Sequence, residues 1–134
     1  MYPKKYVPKN LSKKDKSKQK KMLKRSKRLY KRGQYYEREK VKSFKSKKSP
    51  HVKKAEKIYK IDSVKASKEL SDKTGCSVAG LKQIVKKGQG AYYSSGSRPN
   101  QTAHSWGRAR LASAVTGGKS SQIDYHILEK YCKK

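Results

Sequence analysis

The chain has 134 residues, 38 of them Lys or Arg against 9 Asp or Glu, a formal net charge of +29, and only 32% of it is hydrophobic. Such a chain cannot bury all of itself, which leaves one small domain plus a solvated basic segment. It has no apolar run of the roughly 18 residues a membrane span needs, and no apolar stretch near Met1, so neither membrane insertion nor a secretory signal is expected.

The charge is uneven. Residues 1–60 hold 25 Lys/Arg against 4 Asp/Glu, and residues 61–134 hold 13 against 5. This predicts a basic, aromatic-punctuated arm over residues 1–48 and a small, mainly helical domain over 49–134. The expected fold is therefore mainly α: a small helical domain with a Gly/Ser loop, and a long basic N-terminal arm containing a helix.

Residues 1–10 carry Pro3 and Pro8 among Tyr2, Tyr6 and Val7, an extended opening. A helix is predicted over about 12–32. Ser12 is placed to cap it, Asp15 sits three residues on as in a capping box, and Gly33 stops it. Met22, Leu23, Leu29 and Tyr30 form one narrow apolar stripe, and almost everything else is polar or basic. Lys13, Lys14, Lys20, Lys21, Lys24, Arg25, Lys27, Arg28, Lys31 and Arg32 are the candidate polyanion- or partner-binding residues. Alone in water, like charges four apart weaken such a helix; opposite phosphates or an acidic surface it would firm up.

From Tyr35 to Lys48, Tyr35, Tyr36, Val41 and Phe44 are scattered among bases, a pattern that can stack on nucleobases or fill a protein groove. Ser49-Pro50 opens a helix of about three turns with Val52, Ala55 and Tyr59 on one face; Ile58 and Ile61 extend its apolar surface. Residues 67–87 read as a short helix with Leu70, a turn at Gly75, and a second helix capped by Ser77 and closed by Lys86, Lys87 and Gly88. The spacing fits a helix-turn-helix with Ser77, Val78, Gly80 and Lys82 nearest the bases. It fits equally a helical hairpin packed through Leu70, Val78, Leu81, Ile84 and Val85, and Ser77, Ala79 and Gly80 bring little base-reading chemistry.

The stretch from Gly88 to Lys119 is the most distinctive. Tyr92-Tyr93 are expected at the end of a short strand or extended arm, and Ser94–Ser97 turn the chain. Pro99 keeps Arg98 extended. Asn100 or Thr102 caps a helix running to about Val115, with Ala103, Trp106, Gly107, Arg110 and Ala114 on one face and Leu111 and Val115 beside it; Gly117-Gly118 stop it. Asn100-Gln101-Thr102 matches a glycosylation sequon and is read as capping. Ile123, Ile127, Leu128 and Tyr131 suggest a last short helix capped near Asp124, with Lys130, Lys133 and Lys134 toward its end. Cys76 and Cys132 are far apart in sequence; as free thiols they fit a reduced compartment, and a single disulfide is the other pairing open to them.

The string GAYYSSGSRPNQT, then SW, ARLAS and TGGK and the short Asp-Tyr-His-Ile-Leu tail, resembles a small uncharacterised domain in proteins of large double-stranded DNA viruses of algae and protists (chlorella-virus-like), over about Ile58 to Leu128. The resemblance implies a virus-encoded protein carried in the virion. It brings no catalytic residues.

A catalytic site finds little support. Ser97, Arg98, Arg108 and Arg110 are a candidate anion loop, with His104 and Tyr93 nearby in sequence and Gly88, Gly90 and Gly96 able to shape it. The carboxylates Asp62, Glu69, Asp72, Asp124 and Glu129 show no metal-binding spacing, there is no His/Cys ligand cluster, and Gly117-Gly118-Lys119-Ser120 lacks the upstream Gly of a P-loop. No catalytic residue, metal or cofactor is expected. The functional expectation is a non-enzymatic viral structural protein in the capsid interior, a minor capsid protein whose arm lies along other capsid proteins or an anionic inner surface. Two alternatives are an internal protein neutralising packaged double-stranded DNA without sequence specificity, and a helix-turn-helix regulator.

Overall fold

The computed structural model describes residues 3–45 and 49–132. The chain is mainly α, with seven helices and no strand among the described residues. Tyr2, Lys133 and Lys134, named above, lie outside them. The chain divides into two compact units. The first joins residues 1–47 to Gly90–Trp106, and the second joins residues 48–89 to Gly107–Lys134. Gly90–Trp106 thus belongs with the basic segment rather than with the rest of the C-terminal half.

In the first unit, helix α1 (Lys13–Lys31) starts at Ser12, whose hydroxyl accepts from the Asp15 N–H. It ends as Gly33 turns left-handed, at φ 77°. The reciprocal half of the expected capping box is absent. The Asp15 carboxylate reaches Ser43 instead, accepting from both its N–H and its hydroxyl, while Ser43 Oγ accepts from the Ser12 N–H. The helix buries Met22 and Leu23 as the stripe required, yet Asp15, Gln19 and Ser26 are buried beside them. Leu11, Met22 and Val41 form a small core with Val7, Tyr36 and Phe44 packed against it. The basic segment is therefore folded on itself and not a bare arm.

In the second unit, α2 (Pro50–Tyr59) and α3 (Lys68–Thr74) precede α4 (Val78–Ser94), of which residues to Gln89 belong here. Ser67 caps α3 through the Leu70 N–H, Gly75 closes it at φ 76°, and Ser77 Oγ accepts from the Gly80 N–H at the start of α4. The next helices are α5 (Ala103–Val115), α6 (Lys119–Ile123) and α7 (Tyr125–Tyr131), where a single last helix was expected. Val52, Ala55, Leu70, Leu81, Ile84, Leu111 and Ile127 meet in the core. Ile58 and Ile123, counted as apolar surface for packing, stay exposed.

Two expectations about α4 are corrected. The helix does not end at Gly88; it runs on through Gly90 and Tyr92-Tyr93, which are helical rather than extended. Its glycines serve close approach. A Cβ on Gly88 would lie 2.8 Å from the Gly107 Cα, and one on Gly107 would lie 2.8 Å from the Val85 carbonyl oxygen. Only glycine at both positions lets α4 and α5 come so near, and that packing outweighs the modest helix cost of Gly.

Cys76 and Cys132 are joined as a disulfide rather than left as free thiols. The α3–α4 turn and the end of α7 meet there, with Ser77 N–H donating to the Tyr131 carbonyl at 2.8 Å. Asp124 precedes α7 but makes no side-chain cap. It is fully buried and accepts two bonds from Arg110, at 2.8 and 2.9 Å.

Candidate polyanion-binding face

The inward face of α1 is fixed by polar contacts as much as by apolar ones. Gln19 Nε2 donates to the Tyr6 carbonyl at 3.1 Å, Ser26 Oγ donates to the Tyr93 carbonyl at 3.0 Å, and Asp15 holds Ser43. Ser43 donates two hydrogen bonds to the Asp15 carboxylate, which holds its pKa below the ordinary value.

With that face inside, Lys13, Lys14, Lys20, Lys21, Lys24, Arg25, Lys27, Arg28, Lys31 and Arg32 are all exposed. At about 100° per residue they sort into two rows. Lys13, Lys20, Lys24, Lys27 and Lys31 make one; Lys14, Lys21, Arg25, Arg28 and Arg32 make the other. The rows lie about 100° apart and straddle the direction opposite the buried face. Over a helix about 28 Å long they make a continuous strip of positive charge.

The residues of the candidate anion loop divide between the two units. Ser97 and Arg98 belong to the first unit, Arg108 and Arg110 to the second. Ser97 is buried, accepting from the Arg38 guanidinium at 2.7 Å and donating to the Arg98 carbonyl at 2.9 Å. Arg108 Nε donates to the Val64 carbonyl at 2.8 Å, fastening the α2–α3 connection, and Arg110 is bound to Asp124. Arg98 and His104 are exposed. The Gly/Ser loop exists to lie on α1: Gly96 sits at φ 101°, where a Cβ would come within 2.8 Å of Leu23 Cδ2. Among the described residues no three His, Cys, Asp or Glu side chains are grouped to hold a metal ion, and no helix is long and apolar enough to cross a membrane.

Residues 67–87 do form a helix, a Gly turn and a second helix, but Gly80 is covered by Tyr131. A Cβ there would lie 2.4 Å from the Tyr131 Cβ, and Gln83 Nε2 donates to the Tyr131 hydroxyl at 2.9 Å. Of the four residues placed nearest the bases, Gly80 is buried under Tyr131 and Val78 is half-buried, while Ser77 and Lys82 are exposed.

Arg38 carried no signal in the sequence. It is buried, its guanidinium 3.8 Å from the centroid of the Tyr92 ring, and it donates to Ser26 Oγ, the Tyr92 carbonyl and Ser97 Oγ. Its N–H also donates to the Tyr92 hydroxyl, whose pKa burial raises. One base among 38 becomes the structural hub of the unit, and only the order of burial separates it from the strip outside.

No curated protein and no solved structure matches the chain. A family model described as a family of unknown function (DUF5824) matches residues 3–127. With nearly the whole chain covered, the protein belongs to that family.

Proposed function

We propose that the protein is a non-enzymatic nucleic-acid-binding protein that grips the phosphate backbone through the outer face of α1, without reading sequence. In the virion role that the viral resemblance implies, it neutralises packaged genome. The observation that carries this reading is the pair of basic rows turned outward, opposite a face locked by Asp15, Gln19, Met22, Leu23 and Ser26. Lysines dominate the rows, and lysine meets phosphate as a point charge rather than as a base-specific fork.

The minor capsid reading needs an extended arm whose aromatics are free to bury themselves in neighbouring subunits. Here Tyr6 packs edge-on to Trp106 at 6.0 Å, Tyr36 lies under Arg25, and Phe44 packs against the Leu11–Met22–Val41 core. Those three aromatics are half-buried against the protein's own residues and only Tyr35 of the segment's described aromatics stays exposed, which favours the phosphate-binding reading. The regulator reading loses Gly80, which Tyr131 covers, and keeps only Ser77 and Lys82 exposed, a pair with little base-reading chemistry.

The test is a duplex DNA titration across a salt series. Each phosphate neutralised contributes about −0.9 to the slope of log K against log salt, so six contacts predict a slope near −5. Replacing Lys20, Lys24, Lys27 and Lys31 by Gln should flatten the slope by up to about 3.6. The same four neutralisations at the exposed Lys53, Lys57, Lys65 and Lys68 should leave it nearly unchanged. Equal effects from both sets would reduce the reading to net charge alone, and absence of salt-dependent binding would overturn it.

A further inference from the structure

We infer that the tyrosine group at the C-terminal end of α1 is a stacking platform for an unpaired base, so that the basic face holds a single strand more tightly than a duplex. This rests on the phosphate-binding reading of α1 and narrows its ligand.

The two basic rows end at Lys31 and Arg32. Three residues beyond Arg32, Tyr35 is 72% exposed, although its ring is held by two others. Its centroid lies 5.0 Å from that of Tyr93 and 6.0 Å from that of Tyr30, and Tyr30 and Tyr93 are themselves stacked, 9° from parallel at 6.1 Å. The Tyr93 hydroxyl donates to Glu37 at 3.1 Å. Burial, reinforced by that carboxylate, pushes the Tyr93 phenol up to about 12, so that bracing ring stays neutral.

An aromatic ring kept in water while braced on two sides is preorganised for a flat apolar ligand, since little side-chain freedom remains to be lost on binding. A nucleobase is such a ligand, and the basic rows that would hold its phosphates end three residues before this ring. Duplex DNA keeps its bases stacked inside and offers the ring nothing. Basic residues that track the backbone together with rings that stack on bases are the two elements of single-strand recognition.

The experiment measures binding of the full chain to oligothymidylate, to oligouridylate of the same length, and to a duplex of that length, each over a salt series. The single strands should bind more tightly than the duplex at equal salt. Tyr35→Ala and Tyr35→Leu should weaken single-strand binding roughly 5- to 150-fold, leave duplex binding unchanged, and keep the salt slope, because stacking releases no counterions. Tyr35→Phe should restore affinity, which separates the ring face from any effect on folding. A loss on either single strand supports the platform, and the more tightly held strand identifies the polymer as DNA or RNA. Unchanged single-strand affinity in Tyr35→Ala, or equal losses on strand and duplex, overturns the platform while leaving the phosphate reading standing. Failure of strand and duplex alike to bind overturns both.

Discussion

Asn100 grips Val41 by both ends of its amide. Its Oδ1 accepts from the Val41 N–H at 2.7 Å, and its Nδ2 donates to the Val41 carbonyl at 3.2 Å and to the Phe44 carbonyl at 2.8 Å. An irregular segment is thus held by one side chain acting where a neighbouring strand would. Asn100 itself sits at φ 62°, a conformation Asn tolerates better than most residues. Asn100→Gly keeps the backbone and removes the bonds, for an expected loss of about 1–3 kcal/mol. Asn100→Ala adds left-handed strain of about 1 kcal/mol more. Chemical denaturation of the two variants checks the order; equal losses would mean that the backbone conformation contributes nothing.

The glycine contact between α4 and α5 gives a second prediction. Gly88→Ala and Gly107→Ala each force backbone against added atoms, so each should destabilise the protein by about 1–3 kcal/mol or more, despite alanine's better helix propensity. Thermal melting followed by far-ultraviolet circular dichroism reads it. A rise in melting temperature for either variant would show that the helices are not held this closely.

The Arg110–Asp124 pair is asymmetric, and the asymmetry can be measured. Asp124 is fully buried, whereas the Arg110 side chain is 18% exposed. Breaking a buried pair costs about 3–5 kcal/mol, because a charge is left without its partner. Arg110→Ala strands the buried carboxylate and should cost more than Asp124→Ala, which leaves a guanidinium able to turn toward water. The double change to Met and Leu should cost less than Arg110→Ala alone. Denaturation midpoints of the three variants decide the order.

Acid should loosen the N-terminal unit through Asp15. Because the Ser43 bonds depress its pKa in the folded state, the stabilisation it brings is complete above the ordinary aspartate pKa of about 3.9 and is lost as pH falls through the lower folded value. The melting temperature of the wild type should therefore fall below about pH 4 more steeply than that of Asp15→Asn. Parallel curves would remove Asp15 from the acid response.

Much of the helical skeleton was legible because its signals are local. Ser12, Ser77 and Thr102 each cap the helix that follows, and Gly33 and Gly75 turn left-handed where a stop and a turn were read. What escaped is what depends on partners distant in sequence. Tyr92 was read as extended and is helical, and only the approach of Gly107 reveals what Gly88 is for. Asn100 looked like a cap, but its partners are Val41 and Phe44. Ser97 looked like part of an anion loop, and its hydroxyl is held by Arg38. The disulfide spans 56 residues and left no local trace. The ten bases along α1 were legible as exposed because the helix's own periodicity turns them away from its buried face; Arg38, identical in kind to its neighbours, was not.

The buried side of α1 carries a further consequence. A helix seated by grease alone can roll, because one methylene packs nearly as well as the next. This one is keyed like a shaft: Asp15, Gln19 and Ser26 engage Ser43, Tyr6 and Tyr93. A roll of one residue would strand all three in an interior that offers them no substitute. The polar residues inside therefore decide which way the charges outside must point, and the composition of the outer rows can be rewritten without moving the helix that carries them.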